Sequence, residues 1–310
     1  MIQKDVEGAH GFRSGYVALI GAPNVGKSTL LNQFLKQKIS ITAPKPQTTR
    51  NRILGILTEP GLQIVFLDTP GVHRARDKFN KLLVETALST LSEVDVICFL
   101  VDATQAHGPI DEFILTNLAH LKTPVILAVN KIDLMRKKEE LLPIMDRFEK
   151  RLKPHAVVPV SALRGEGVES LLEVVRKIMP AGPQYFPEEY LTDQPERFFV
   201  SELIREKVFR LTQQEVPYSV AVTVERFEEL PERKRIDIDA AIHVERDSQK
   251  GIIIGKQGQM LKEIGRQARM EIETFLGCHV FLGLFVRVQK NWRKNSRMLM
   301  ELGLHPHSRR

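Results

Sequence analysis

Gly21-Ala22-Pro23-Asn24-Val25-Gly26-Lys27-Ser28 sets two glycines, a lysine and a hydroxyl at the spacing G-x-x-x-x-G-K-S. Glycines let a backbone turn tightly and point several N–H groups inward. With the positive end of a following helix, such a loop cradles phosphate oxygens. Lys27 would place its charge at the β- and γ-phosphates, and Ser28 would offer a hydroxyl to Mg²⁺. Asp68-Thr69-Pro70-Gly71 follows an apolar run, where a carboxylate can hold the same ion and the Gly71 N–H can approach a γ-phosphate. Asn130-Lys131-Ile132-Asp133 follows another such run. A carboxylate is a double acceptor, so Asp133 matches the two adjacent donors on guanine's Watson–Crick edge and repels adenine. The Lys131 stem can cover a base plane, Asn130 can brace the phosphate loop, and Ser161-Ala162-Leu163 can add a backbone N–H for the guanine oxygen. The three clusters, in this order, select a guanine nucleoside triphosphate with Mg²⁺.

Between the first two clusters lies Ile41–Asn51, a polar segment with Pro44, Pro46 and Thr48-Thr49-Arg50. One of the two threonines can complete the Mg²⁺ shell only when a γ-phosphate is present, which makes the segment an order–disorder switch. Thr49 is preferred over Thr48. Lys27, Thr49 and Gly71 are then the catalytic candidates, acting by position and charge.

The elements that must position these clusters follow from periodicity. Apolar runs at Tyr16–Gly21, Ile53–Leu57, Leu62–Leu67, Val94–Val101, Val125–Val129 and Val157–Val160 read as strands. Helical patterns at Leu30–Lys36, Phe79–Leu91, Ile110–Leu121, Leu134–Leu152 and Val168–Ile178 alternate with them. Glu59-Pro60-Gly61 makes the second and third runs a hairpin. The pattern predicts an α/β domain over 15–180, with a mostly parallel sheet and helices on both faces, after an extension at 1–14. Pro180-Ala181-Gly182-Pro183 breaks it, and 181–197 reads as a linker. A helix, two strands, paired helices and a last strand then fill 198–295 as an α+β domain, followed by a basic tail at 296–310.

The chain has 310 residues, 43% hydrophobic and 27% charged, enough for two cores and against wholesale disorder. Two cysteines make no disulfide framework and predict a reducing cytoplasm, with no disulfide-linked partner. No apolar run approaches the roughly 20 residues of a membrane span, and the polar segment Met1–Phe12 is no signal peptide. The net charge of +7 predicts a polyanionic partner. From Arg246 onward there are 13 Lys and Arg against 5 Asp and Glu, so the excess is concentrated there.

That region holds Ile252-Ile253-Ile254-Gly255-Lys256-Gln257-Gly258, a G-x-x-G between helical patterns. Two glycines let a backbone pass close to the sugar-phosphates of a single strand, and Lys256 adds charge. Ile254 and its neighbours would wall a groove for bases, with Gln257 inside the loop. Lys262, Arg266, Arg287, Lys290 and Arg293 can track phosphates; singly, each reads equally well as solvated surface. Trp292 reads either as a stacking platform or as packing at a domain end.

Residues 15–178 resemble a P-loop GTPase domain of the translation-factor-related class, and 198–295 resembles a KH domain of the second topological type. The pairing resembles the Era family, bacterial GTPases of small-ribosomal-subunit assembly. Gly21–Ser28, Pro46-Gln47-Thr48-Thr49-Arg50, Asp68–Gly71, Asn130–Asp133 and Gly251–Gly258 carry the resemblance. It implies GTP and GDP as ligands, binding of the 3′ end of small-subunit rRNA on the small ribosomal subunit, coupling of that binding to the nucleotide, and peripheral inner-membrane contact. DNA is not an expected partner. Val72 stands where Ras-like relatives place a glutamine that orients water. A valine cannot do so, which predicts slow intrinsic hydrolysis or help from elsewhere. The resemblance implies K⁺ stimulation through Asn24. Two alternatives stay open on the residues: a GTP sensor with incidental hydrolysis, and a membrane-surface signalling GTPase.

Overall fold

The computed structural model describes residues 11–43, 45, 48–72, 78–106, 108–213 and 215–302. Pro46, Gln47 and the tail beyond 302 lie outside them. The chain forms two compact units, one of residues up to Ser40 and Thr49–Asp193, the other of Ile41–Thr48 and Gln194 onward.

In the first unit the strands β1 (Arg13–Gly21), β2 (Ile53–Glu59), β3 (Leu62–Asp68), β4 (Val96–Asp102), β5 (Val125–Asn130) and β6 (Ala156–Pro159) form one sheet, ordered β2-β3-β1-β4-β5-β6. Only the β2–β3 hairpin is antiparallel. Strands buried on both faces need apolar residues at every position, which is why these runs do not alternate. Ala18, Ile20, Leu67, Phe99 and Val129 share a core with helices α2 (Lys78–Ser89), α3 (Pro109–Leu118) and α4 (Leu141–Leu152). On the other face Phe66 stacks on Phe34 of α1 (Lys27–Leu35), with ring centroids 4.7 Å apart. Helix α5 (Val168–Ile178) packs beside α1. The order reverses at β1, so the loop after β1 sits at the switch point where open α/β sheets take ligands.

One helix is shorter than its sequence pattern. Residues 134–152 read as continuous helix, but α4 begins at Leu141, after short turns at Ile132–Leu134 and Lys138–Glu140. Arg136 to Glu140 offers no apolar side chain to bury, so nothing holds a helix there against the sheet. The segment after Pro180 is also less free than a linker. Gln63, fully buried in β3, accepts from the N–H groups of Tyr185 and Phe186 at 2.8 and 2.9 Å and donates back to the Phe186 carbonyl at 2.8 Å. The Ile56 N–H bonds the Leu191 carbonyl at 2.8 Å. The boundary between units therefore falls at Asp193–Gln194.

The second unit runs α6 (Glu196–Leu211), β7 (Ala221–Leu230), β8 (Arg235–Val244), α7 (Asp247–Ile254), α8 (Gln259–Leu276), β9 (His279–Val288) and α9 (Ser296–Glu301). Its sheet is ordered β7-β8-β9, antiparallel then parallel. Alternate residues Ile238, Ala240, Ile242 and Val244 of β8 pack under Val200, Ile204 and Val208 of α6 and Ile264, Ala268 and Ile272 of α8. Ile41 belongs to this core. The chain before Thr49 is bound to α6: the Thr42 N–H donates to Glu206 Oε1 at 3.0 Å, and Arg205 donates to the Thr48 carbonyl at 2.5 Å. No helix among the described residues is long and apolar enough to cross a membrane.

Candidate functional site

The loop between β1 and α1 is built on two close approaches. A Cβ on Gly21 would lie 2.5 Å from the Leu100 carbonyl, and one on Gly26 would lie 2.2 Å from Asn130 Nδ2. Asn24 and Gly26 both take positive φ, 61° and 105°, which opens the loop and aims its amides inward. Asn130 donates to the Val25 carbonyl at 2.7 Å and accepts from the Ala162 N–H at 2.9 Å. One amide thus ties the phosphate loop, the end of β5 and the 161–162 loop together. Lys27 is buried and donates to the carbonyls of Gly21 at 3.1 Å and Ala22 at 3.0 Å. Burial pulls its ammonium down to about 8, against the attraction of Asp68.

Asp68 ends β3 with no exposed surface. Its Oδ2 accepts from Ser28 Oγ at 2.6 Å and Ser40 Oγ at 2.8 Å. Burial pushes the carboxyl above its ordinary range; the bond from Ser28 and the nearby Lys27 charge oppose this. Its Oδ1 is buried and meets no donor among the described residues. Thr49 Oγ1 lies 2.8 Å from Ser28 Oγ, whereas the Thr48 hydroxyl donates to the Lys45 carbonyl at 2.8 Å. Thr49 is therefore the threonine brought to the cluster. Two hydroxyls and a carboxylate with an open buried oxygen form a hard-oxygen set that fits Mg²⁺.

The Thr69 hydroxyl donates to the Leu19 carbonyl at 2.8 Å, anchoring the turn after β3. A Cβ on Gly71 would meet Pro23 Cα at 2.8 Å, so only glycine fits there beside the phosphate loop. Pro70 is buried. Val72 is 1% exposed, packed in the core, and its N–H bonds the Gly21 carbonyl at 3.2 Å. Its side chain is thus not directed to reacting water.

In the third cluster Asp133 accepts from Ser161 Oγ at 2.6 Å, and the Ile132 N–H bonds the Val160 carbonyl at 3.3 Å. Lys131, at φ 68°, bonds Asp102 at 2.6 Å. Burial resists ionisation of Asp102, yet the bonds from Lys131 and Thr104 hold its carboxyl below the usual range. Ala162 is buried and Leu163 is 75% exposed. Sequence reasoning missed Asp102, Ser40 and Asn32. Asp102 had a signal, a carboxylate ending a buried run; Ser40 and Asn32 had none.

In the second unit, Ile254 ends α7 and Gly258 precedes α8. Gly255 takes φ 71° and ψ 179°, Gln257 φ 50° and Gly258 φ 78°. A groove of about 650 Å³ opens beside this loop, lined by Gly258, Lys262, Arg266, Arg269, Phe281 and Leu284 among others. Lys262, Arg266 and Arg269 recur at i, i+4 and i+7, one face of α8. Arg269 was legible from that spacing and was missed. Arg287, Lys290 and Arg293 do not line the groove. Arg287 pairs with Glu225, Arg293 with Glu245 and Arg266 with Glu263. Trp292 is fully buried and donates to the Ser219 carbonyl at 2.8 Å, so it is packing rather than a stacking platform.

Residues 16–131 match the family described as 50S ribosome-binding GTPase, and residues 215–293 match the KH domain family. The chain is 59% identical over 292 residues to GTPase Era of Geotalea uraniireducens, covering 94% of this chain and 98% of that one. It is 56% identical over 295 residues to GTPase Era of Geobacter metallireducens, with the same coverage. A crystal structure of an Aquifex aeolicus Era variant bound to GDP·AlF₄⁻ superposes with TM-score 0.91 at 42% identity, covering 95% of this chain and all of the other. Era in complex with MgGDPNP and nucleotides 1506–1542 of 16S ribosomal RNA gives the same score, identity and coverage. A phosphate loop and guanine reader on one sheet edge, with a G-x-x-G groove in the second unit, are thus matched across nearly the whole chain: it belongs to the Era family of GTPases.

Proposed function

We propose that this chain hydrolyses GTP and uses the bound nucleotide to control how its KH unit holds the 3′ end of small-subunit rRNA during assembly of the small ribosomal subunit. The observation that carries the reading is the presence, in one chain, of the Asn130–Asp133 reader braced onto the phosphate loop and the groove of about 650 Å³ beside Gly255–Gly258. The loop amides and Lys27 bind the phosphates. Asp133, held by Ser161, reads guanine, and Lys131, held by Asp102, covers the base. Ser28, Thr49 and Asp68 would hold Mg²⁺, which supplies charge neutralisation at the transferred phosphoryl group. Thr49 and the Gly71 N–H order the γ-phosphate surroundings. Nothing here is covalent catalysis; the residues position and neutralise charge.

Val72 lies in the core, so turnover without help is slow. Asn24 offers a carbonyl oxygen for K⁺. The rate should rise when Na⁺ is exchanged for K⁺, and Asn24→Gly, which tolerates the positive φ, should lose the difference. Equal rates in both salts for the unaltered protein would remove K⁺ from the scheme. In the KH unit, Ile254 to Gly258 with Lys262, Arg266 and Arg269 form the RNA contact, in a cytoplasmic setting.

The test is a titration of labelled RNA matching the 3′ end of small-subunit rRNA, against a scrambled control and anionic liposomes. The protein carries GDP or a non-hydrolysable GTP analogue, at two salt concentrations, beside Gly258→Asp. Selective binding strengthened by the analogue and lost in Gly258→Asp is the expected result. Equal, steeply salt-sensitive binding to both RNAs would reduce the unit to a basic surface. Preference for liposomes would point to a membrane-surface GTPase.

A further inference from the structure

Ser40 stands outside every motif of the nucleotide site, yet its side chain ends in it. It is 0% exposed, and its hydroxyl donates to Asp68 Oδ2 at 2.8 Å. Ser28 donates to the same oxygen at 2.6 Å. Two donors from separate stretches of chain pin one carboxylate oxygen, and Oδ1 keeps its lone pairs free of any donor among the described residues. The two donors are not equivalent. Ser28 has a second duty, because its oxygen is a candidate ligand for the cation. Ser40 has none, so its bond can persist whatever Ser28 does.

Ser40 is itself fixed. Asn32 Nδ2 donates to the Ser40 carbonyl at 2.7 Å, and Asn32 Oδ1 accepts from the N–H groups of Ile39 and Ser40, both at 2.9 Å. Asn32 lies four residues after Ser28 on α1, so one helix face carries both the ligand hydroxyl and the clamp. All of these bonds lie within the first unit, and the chain joins the second unit only from Ile41.

We propose that Ser40, clamped by Asn32, is a positioning residue for Mg²⁺: it holds the Asp68 carboxylate in the orientation that binding of the ion with GDP or GTP uses. The proposal deepens the GTPase reading and rests on it. Outer partners of metal-binding carboxylates are worth about 10–100-fold in metal affinity.

The test follows release of a fluorescent GDP analogue across a Mg²⁺ titration, for the unaltered protein, Ser40→Ala, Ser40→Cys, Asn32→Ala and the Asn32→Ala/Ser40→Ala double variant. Cysteine keeps the branching, is somewhat larger and donates weakly. Both Ser40 variants should need roughly tenfold more Mg²⁺ for half-maximal retention, while release in excess chelator stays at the unaltered rate. Asn32→Ala should shift the same way, and the double variant should add little, as expected of residues acting through one bond. A denaturation curve of each variant separates folding loss from ion binding. A Ser40→Ala midpoint equal to that of the unaltered protein overturns the proposal. So does faster release in chelator with no shift in the Mg²⁺ midpoint, which would make Ser40 a packing residue. If the unaltered protein binds no GDP, the nucleotide-site reading fails and the proposal falls with it; if it binds GDP without Mg²⁺ dependence, only the proposal falls.

Discussion

Lys27 links the phosphate loop to pH. Burial sets its folded value at about 8, against 10.5 for a free lysine. Between those values the unfolded chain carries the extra proton, so stability without nucleotide should gain as pH rises through that window. A bound phosphate reverses the balance by favouring the ammonium. GDP affinity should therefore fall above about pH 8 and binding should take up a proton, as read by calorimetry in buffers of different ionisation heat. Affinity flat up to pH 10.5 would show that Lys27 stays charged without phosphate. Asp133→Asn exchanges one acceptor for a donor, so GTP affinity should fall about a hundredfold or more while xanthosine triphosphate, with a carbonyl at that position, gains. Competition binding with the two nucleotides checks it. Asp133 was legible because its cluster is contiguous. Its Ser161 partner lies 28 residues on and could be named only as a nearby loop.

At the scale of elements the two glycines of the KH loop are not alike. Gly255 combines positive φ with ψ near 180°, and a Cβ there would meet Met260 Cβ at 2.7 Å and its N at 3.0 Å. Gly255→Ala should destabilise by about 1–3 kcal/mol in denaturant unfolding. Gly258 sits in the left-handed helical region that aspartate tolerates, with nothing within 4 Å of a built Cβ. Gly258→Asp should stay within about 1 kcal/mol of the parent and lose RNA binding, so the pair separates fold from contact. The strands were readable because burial on both faces demands unbroken apolar runs. The start of α4 was not, because a run of charges is compatible with helix but needs an apolar face to be held as one, and 136–140 has none.

For the whole molecule, the units do not follow chain order. Ile41–Thr48 folds with the second unit, giving Ile41 to its core and backbone partners to the buried Glu206 and Arg205. A fragment of 194–310 should therefore unfold roughly 2–5 kcal/mol more easily than the same fragment joined by a linker to 41–48. Equal denaturant midpoints would show that the segment adds nothing to that fold. The chemistry is legible without coordinates: phosphate loop, carboxylate after β3, guanine reader, G-x-x-G loop and the α/β then α+β order. Each of these is written in a few adjacent residues or in a local period, and local backbone geometry is enough to express it. Packing set which threonine meets Ser28, that Ser40, held by Asn32, bonds Asp68, that Asp102 holds Lys131, that Arg287 and Arg293 pair with Glu225 and Glu245, and where 41–48 belongs. Those depend on strand register and packing between residues far apart in the chain, and a hydrogen bond or ion pair across such a distance leaves no spacing in the sequence to read.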